Sequence, residues 1–263
     1  MVLKSFFDGS NEADSTQYDV VTLASVSGTI DLWRAFERDW RATLKKHGAD
    51  WLHTTDLVAG ASPYSNREGW CDASREAFVS DCVKIIDERV VIQRPTMRRR
   101  GLVPYAVTIY LKDYLRACAD NPEVPRTVSE LLSTQVVYRC LDLGYRMKTD
   151  FFHLFFDQGE PYMGHILDRK NKATTRKRIP MLERITQIGQ INMRRTPALQ
   201  MADVFAWCAS HRDIQPHPRW QSVILSHHNV FDERYHYERI MKIQPGIAAL
   251  VKSWGLPPRK PTK

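Results

Sequence analysis

The chain has 263 residues, of which 43% are hydrophobic and 26% charged, and its formal net charge at pH 7 is +8. This composition is that of a globular protein with enough residues for a sizeable core. No segment approaches the ~20 consecutive apolar residues of a membrane helix, which argues against a membrane protein. The first residues, MVLKSFFDGS, lack the cleavage site of a signal peptide, so we expect a cytoplasmic protein.

The cysteine pattern supports the same expectation. The five cysteines are spread along the chain without a CxxC pair, at Cys71, Cys82, Cys118, Cys140 and Cys208. A disulfide framework or a structural zinc site needs closer, paired spacing. We therefore expect reduced and mostly buried thiols.

The first fifth of the chain predicts two strands and a helix. The segments VLKSFFD (2–8) and YDVVTLASVSG (18–28) are apolar and rich in β-branched residues, which indicates two hairpinned strands. From Ile30 to His47, apolar residues recur at steps of three and four. That spacing predicts an amphipathic helix, which Gly48 ends. A short apolar segment with a polar centre follows at 49–60.

The middle of the chain predicts mainly helices. Residues 71–90 have a helical period, and VVIQRP (90–95) predicts a short strand. From about Pro104 to Arg146 the pattern predicts a largely helical region, broken by the loop ADNPEVP. We therefore expect a helical insertion at about 61–147 within an otherwise mixed fold.

The last part predicts alternating strands and helices. Apolar residues run almost without interruption through KTDFFHLFFD (148–157), which predicts a central strand covered on both faces. A helix at Tyr162–Lys172 and a strand in ITQIGQINM (185–193) follow. The segment TPALQMADVFAWCASHR (196–212) begins with Thr and Pro, which favour a helix N-terminus. Together the elements predict one α/β domain over residues 1–263, with a flexible basic tail at 256–263.

Three aspartates occupy apolar surroundings. Asp8 and Asp157 each follow a Phe-Phe pair at the end of a predicted strand, and Asp203 shares an apolar helix face with Leu199 and Ala206. A buried carboxylate needs a partner, a proton or a metal. Singly, the first two could be turn residues and the third a partner of a nearby arginine. Together, carboxylates near the carboxyl ends of central strands predict a divalent-ion site.

Four segments resemble a known family: FFDGSN, LHTTDL, FFDQ and PALQMADVFAW. They are similar to a bacterial domain family of unknown function that is characterised by an opening D-x-S and a late L-Q-x-A-D. That family is grouped with the ribonuclease-H-like superfamily, which includes retroviral integrases and Holliday-junction resolvases. The resemblance covers most of residues 3–212. It implies a ribonuclease-H-like α/β fold: a central mixed sheet flanked by helices, here with a helical insertion.

The resemblance also implies a site that binds two magnesium or manganese ions. The matching ligands are Asp8, Asp157 and Asp203, and the fourth acid is Asp56 of LHTTDL or, alternatively, Glu160. The chain departs from the family at the residue after Asp8, where it has a glycine and an acid is common. Two ions ~3.5–4 Å apart can activate a water and stabilise the leaving oxygen of a phosphodiester.

We therefore predict a metal-dependent nuclease in which Asp8, Asp56, Asp157 and Asp203 are catalytic. Two alternatives stay open. One is a catalytically inactive nucleic-acid-binding or regulatory module on the same fold, and the other is a hydrolase of a smaller phosphate substrate. His53, three residues before Asp56, could lie near the site, but a structural role is the favoured interpretation.

Basic residues cluster beside the predicted ligands. The segment RKNKATTRKR holds six basic residues and no acid, and two arginines precede the helix of Asp203. Such a run is either a solvated surface or a sequence-independent contact to phosphates. Its position near the predicted ligands favours DNA or RNA as the partner. The predicted contacts are Arg169, Lys170, Lys172, Arg176, Lys177, Arg178, Arg194 and Arg195.

Overall fold

The computed structural model describes residues 1–11, 19–90, 101–175, 179–214, 218–227, 232–243, 247, 249–250, 252 and 254, without the side chains of 173–175, 180, 226 and 227. The strands are β1 (Val2–Ser10), β2 (Val20–Thr29), β3 (Val103–Tyr110), β4 (Phe151–Asp157), β5 (Ile185–Ile191) and β6 (Asp232–Tyr235). The helices are α1 (Ile30–His47), α2 (Thr54–Ala59), α3 (Asp72–Arg89), α4 (Leu111–Asp120), α5 (Val128–Arg146), α6 (Tyr162–Thr175), α7 (Pro180–Glu183), α8 (Pro197–Ser210), α9 (Arg219–His227) and α10 (Tyr237–Met241).

The six described strands form one mixed sheet in the order β5-β4-β1-β2-β3-β6. Strand β2 is antiparallel to both of its neighbours, whereas β1–β4, β4–β5 and β3–β6 are parallel pairs. All strands except β2 therefore end at the same edge of the sheet. The predicted α/β class, with a central mixed sheet flanked by helices, is confirmed.

Helices cover both faces of the sheet. One core contains residues of α5 and α6, and the other contains residues of α1, α3 and α8. Every residue of α8 is buried, from Pro197 to Ser210. This helix therefore lies in the interior, packed on the central strands, and any charged side chain it carries is withdrawn from bulk water.

The sequence pattern predicts helix α1 with the same first and last residues that the structure has. Its apolar positions Trp33, Phe36, Trp40 and Leu44 are buried. Gly48 follows the helix with a φ of 65°, and its N–H donates to carbonyls of the last turn. A glycine adopts this left-handed conformation at little cost, which is why the helix ends there.

The region predicted as largely helical from Pro104 to Arg146 differs in the structure. Its first residues form β3, which pairs with β2 from Val103 to Tyr110. The segment 61–147 is thus not a purely helical insertion, because part of it belongs to the central sheet. The β-branched residues of VPYAVTIY suit a strand, and the antiparallel partner β2 completes it. Most of the strand predicted at 90–95, and the tail at 256–263, lie outside the described residues.

The thiols agree with the prediction. All five cysteines are free, and Cys82, Cys140 and Cys208 are buried. Within the described ranges, no helix has the length and apolar character needed to cross a membrane.

Candidate functional site

Two adjacent parallel strands bring their carboxylates to one edge of the sheet. In the β1–β4 ladder Phe7 lies opposite Phe156, so the next residues, Asp8 and Asp157, lie side by side where this ladder ends. Asp8 still pairs with Ala24 of β2, and Asp157 with Ile191 of β5. Glu160 follows in the turn after β4. Carboxyl ends of parallel strands are common places for ligand sites, and here that edge is acidic.

The interior helix α8 contributes a third aspartate. Asp203 is only 5% exposed, and its Oδ2 accepts hydrogen bonds from the backbone N–H and the hydroxyl of Thr54, both at 2.7 Å. One turn earlier, Gln200 Oε1 accepts a bond from the backbone N–H of Leu52 at 3.1 Å. Helix α8 therefore holds the segment before α2 against the acidic edge.

The carboxylates act on one another electrostatically. Asp8 is 3% exposed, and burial raises its pKa well above the usual value, with further increases from the charges of Asp203, Glu160 and Asp157. Burial and then the charge of Asp157 raise the pKa of Glu160 to about 7. Burial also raises the pKa of Asp203. The structure thus brings Asp8, Asp157 and Asp203 together and places Glu160, the alternative fourth acid, beside them.

Glu160 fills the space beside Gly9, the position at which the chain departs from the family pattern. A Cβ placed on Gly9 would lie 3.0 Å from the ring and hydroxyl of Tyr162 and 3.1 Å from Glu160 Oε1. A side chain at this position would therefore require Tyr162 and Glu160 to shift. Glu160 instead supplies a carboxylate next to Asp8, so of the two candidates for the fourth acid it is the one that acts directly on Asp8.

Asp56 takes a different place. Its Oδ2 lies 2.7 Å from Nδ1 of His53, whose ring stacks on Trp51 with centroids 5.5 Å apart. The nearby His53 partly offsets the raised pKa of both Asp157 and Asp203. Asp56 therefore orients a histidine at the border of the site. A position of His53 near the site is the less favoured of the two interpretations from the sequence, and it is where the structure places this residue.

The predicted basic contacts divide into three groups. Arg169 lies 3.5 Å from Glu130, Lys170 donates to the carbonyl of Ile185 at 2.5 Å, and Lys172 pairs with Asp168 at 2.5 Å. Those three cations contact the protein itself. Residues 176–178, with Arg176, Lys177 and Arg178, lie outside the described residues.

Arg194 and Arg195 are exposed and stand at the border of the acidic site. The guanidinium of Arg194 lies 4.8 Å from the centre of the Trp51 ring, and Trp51 in turn stacks on His53. The preceding residue, Met193, donates its backbone N–H to Asp157 Oδ1 at 3.0 Å. Arg194 is thus held on the Trp51–His53 stack, one residue after the backbone N–H that binds Asp157.

The donor set fits a hard divalent cation chemically. Magnesium and manganese prefer carboxylate oxygens, and buried acids whose charges raise one another's pKa are stabilised when a cation neutralises them. Among the described residues, no three His, Cys, Asp or Glu side chains are already arranged to hold an ion. Asp203 and Asp157 each use one carboxylate oxygen for a protein hydrogen bond.

Comparisons with known proteins give little beyond the fold. No family model matches the chain, and no curated protein matches it, so the family resemblance stays a prediction. A chain in the solved structure of the PCNA:RNase HII complex from Archaeoglobus fulgidus is similar over 98% of both chains, with 12% identity and a TM-score of 0.38. The case for a function rests on the site's own residues.

Proposed function

We propose that the protein is a magnesium- or manganese-dependent nuclease that hydrolyses phosphodiester bonds of DNA or RNA. The observation that carries the proposal is the convergence of Asp157, Glu160 and Asp203 on the buried Asp8, whose pKa is raised by burial and then by the charges of these three acids. These four carboxylates would hold the ions. Bound there, divalent ions activate a water and stabilise the leaving oxygen.

The chain's own residues would orient the site. Thr54 and the backbone of Met193 fix one oxygen each of Asp203 and Asp157. Asp56 fixes the ring of His53 through Nδ1, so its Nε2 is the ring nitrogen left for a substrate or a water. Arg194, a planar guanidinium at the edge of the acidic cluster, suits a phosphate oxygen.

A cleavage assay over a panel of substrates tests the proposal. The panel contains single- and double-stranded DNA, single- and double-stranded RNA, an RNA–DNA hybrid and branched DNA, each with magnesium, with manganese or with chelator. We expect cutting of at least one substrate that chelator stops. Binding without cutting would favour the inactive nucleic-acid-binding module, and turnover of only small phosphate esters would favour the smaller-substrate hydrolase.

Arg194→Gln tests the phosphate contact. If Arg194 binds one phosphate, the slope of log affinity against log salt should fall by roughly 0.7–0.9, for many sequences alike. The matched control is Arg34→Gln on α1, whose neighbour Trp33 bonds to the carbonyl of Lys4 near the start of β1, at the opposite edge of the sheet. Binding is measured with catalysis blocked by calcium or chelator. An unchanged slope for Arg194→Gln would remove it from the nucleic-acid surface.

A further inference from the structure

A cavity of about 290 Å³ lies between α5, β6, α10 and the residues after α10. Its residues Tyr235 and Ile243 belong to the core on the α5 side of the sheet, whereas α8, which carries Asp203, belongs to the core on the opposite side. The cavity is therefore separate from the acidic site. Its size is close to the lower end of small-ligand pockets, which hold ≈ 300–1,000 Å³.

The described lining of this cavity carries an excess of positive charge. It includes Arg139, Arg239 and Lys242 and no carboxylate. Glu233 pairs with two of these cations: its Oε1 lies 2.9 Å from Arg139, and its Oε2 contacts Arg239. Lys242 is exposed, and no described residue forms an ion pair with it. Three cations against one neighbouring acid leave a field that attracts anions.

The buried side-chain amide of Gln135, in the cavity wall, has a hydrogen-bond donor without an acceptor among the described residues. Gln135 is 7% exposed, and its Oε1 lies 3.1 Å from the hydroxyl of Tyr235, whose single proton also reaches Glu233 Oε2 at 2.9 Å. Its Nε2 finds no acceptor among the described residues. Buried amide donors are nearly always paired, because an unpaired one is costly. A ligand oxygen in the cavity would supply the missing acceptor.

The remaining described wall is apolar, with Ile243, Ile247 and Leu250. A pocket with apolar walls and a few convergent polar groups is the usual form of a small-molecule site. From the cations, the amide donor and the apolar wall together we propose that this cavity binds a small amphiphilic anion: a carboxylate or phosphate head on a short apolar body. The positive side chains attract the head, and the isoleucines and leucine contact the body.

Methyl NMR on the full chain tests the site directly. The protein is labelled with ¹³C at isoleucine δ1 methyls, and the methyls of Ile243 and Ile247 are assigned with Ile→Leu variants. Three probes share one apolar body: octanoate, octyl phosphate and octanol. We expect saturable shifts of both methyls with at least one of the anions and at least tenfold weaker binding of octanol. The Ile30 methyl, at the start of α1, should not shift. The anion that binds more tightly identifies the head group.

Charge variants distinguish this site from non-specific uptake of an amphiphile. Lys242→Gln and Arg239→Gln together should weaken binding of the anions at least tenfold, whereas Arg34→Gln should leave it unchanged. Lys242→Glu, at an exposed position, provides a variant that keeps the fold and should weaken binding further. The proposal is overturned if the Ile243 and Ile247 methyls do not shift, if octanol binds as tightly as the anions, or if these variants bind like the wild type.

Discussion

Asp157→Asn should abolish cleavage while leaving the fold intact. The asparagine side chain keeps an oxygen that can accept the backbone N–H of Met193, which Asp157 Oδ1 accepts at 3.0 Å. It lacks the negative charge that attracts a cation. Losing a charged ligand removes several kcal/mol of transition-state stabilisation, and at ~1.4 kcal/mol per tenfold the rate should drop by about a thousandfold or more.

The matched control for this variant is Asp150→Asn, just before the opposite end of the same strand. Asp150 pairs with the N-terminal amine and is 63% exposed, so its loss should leave the cleavage rate within about twofold and the free energy of unfolding within ~1 kcal/mol. Rates are compared on whichever substrate the wild type cuts. Undiminished cleavage by Asp157→Asn would show that Asp157 only caps its strand.

Stability without divalent ions should fall as the pH rises from about 4.5 to about 7. Burial and Asp157 raise the pKa of Glu160 from 4.5 to about 7, so in this window the folded state binds more protons than the unfolded state. Stability then decreases with pH. Glu160 alone should cost on the order of 3 kcal/mol across the window. Urea unfolding in chelator at a series of pH values measures this slope.

The same repulsion predicts the behaviour of Asp8→Asn. In chelator at pH 7 this variant should be more stable than the wild type, because the charges that raise the pKa of Asp8 no longer oppose an ionised group. Manganese should stabilise the wild type by mass action and stabilise the variant much less. An unchanged stability of the wild type in manganese would contradict this explanation. So would a variant that is less stable than the wild type in chelator.

Asp232→Asn is the matched buried control for the stability experiment. Asp232 Oδ2 lies 3.0 Å from Arg212 and 3.2 Å from Arg234, so this carboxylate is compensated by cations. Its replacement should destabilise the protein at neutral pH and leave the manganese effect intact. If Asp8→Asn raises the free energy of unfolding and Asp232→Asn lowers it, the effect of repulsion is separated from a general effect of removing charge.

Much of the fold can be predicted from local patterns. The period of α1, the apolar runs of β1 and β4, and the Thr-Pro start of α8 each specify an element without reference to the rest of the chain. Strand β3 is an exception, because VPYAVTIY precedes helices and lacks a clear alternation. Its conformation depends on pairing with β2, whose residues are more than 70 positions away.

The residues of the candidate site also differ in how clearly the sequence indicates them. Asp8, Asp157 and Asp203 stand out in the sequence because each is a carboxylate among apolar neighbours. Glu160 is indicated only as the alternative to Asp56, and His53 only by its spacing from Asp56, since their relation to the other acids arises when parallel strands meet and α8 holds Thr54. Conversely, Arg169, Lys170 and Lys172 belong to a conspicuous basic run, yet each contacts the protein itself.

The most direct test of the central claim is a crystal structure of the protein soaked in manganese, with anomalous differences recorded at the manganese edge. The account predicts one or two peaks within ~2.0–2.6 Å of carboxylate oxygens from Asp8 together with Asp157, Glu160 or Asp203. Asp8→Asn crystals, treated identically, should lose or weaken those peaks. Wild-type crystals with manganese bound elsewhere, or with no peak among these four acids, would contradict the assignment of a metal site to this edge of the sheet.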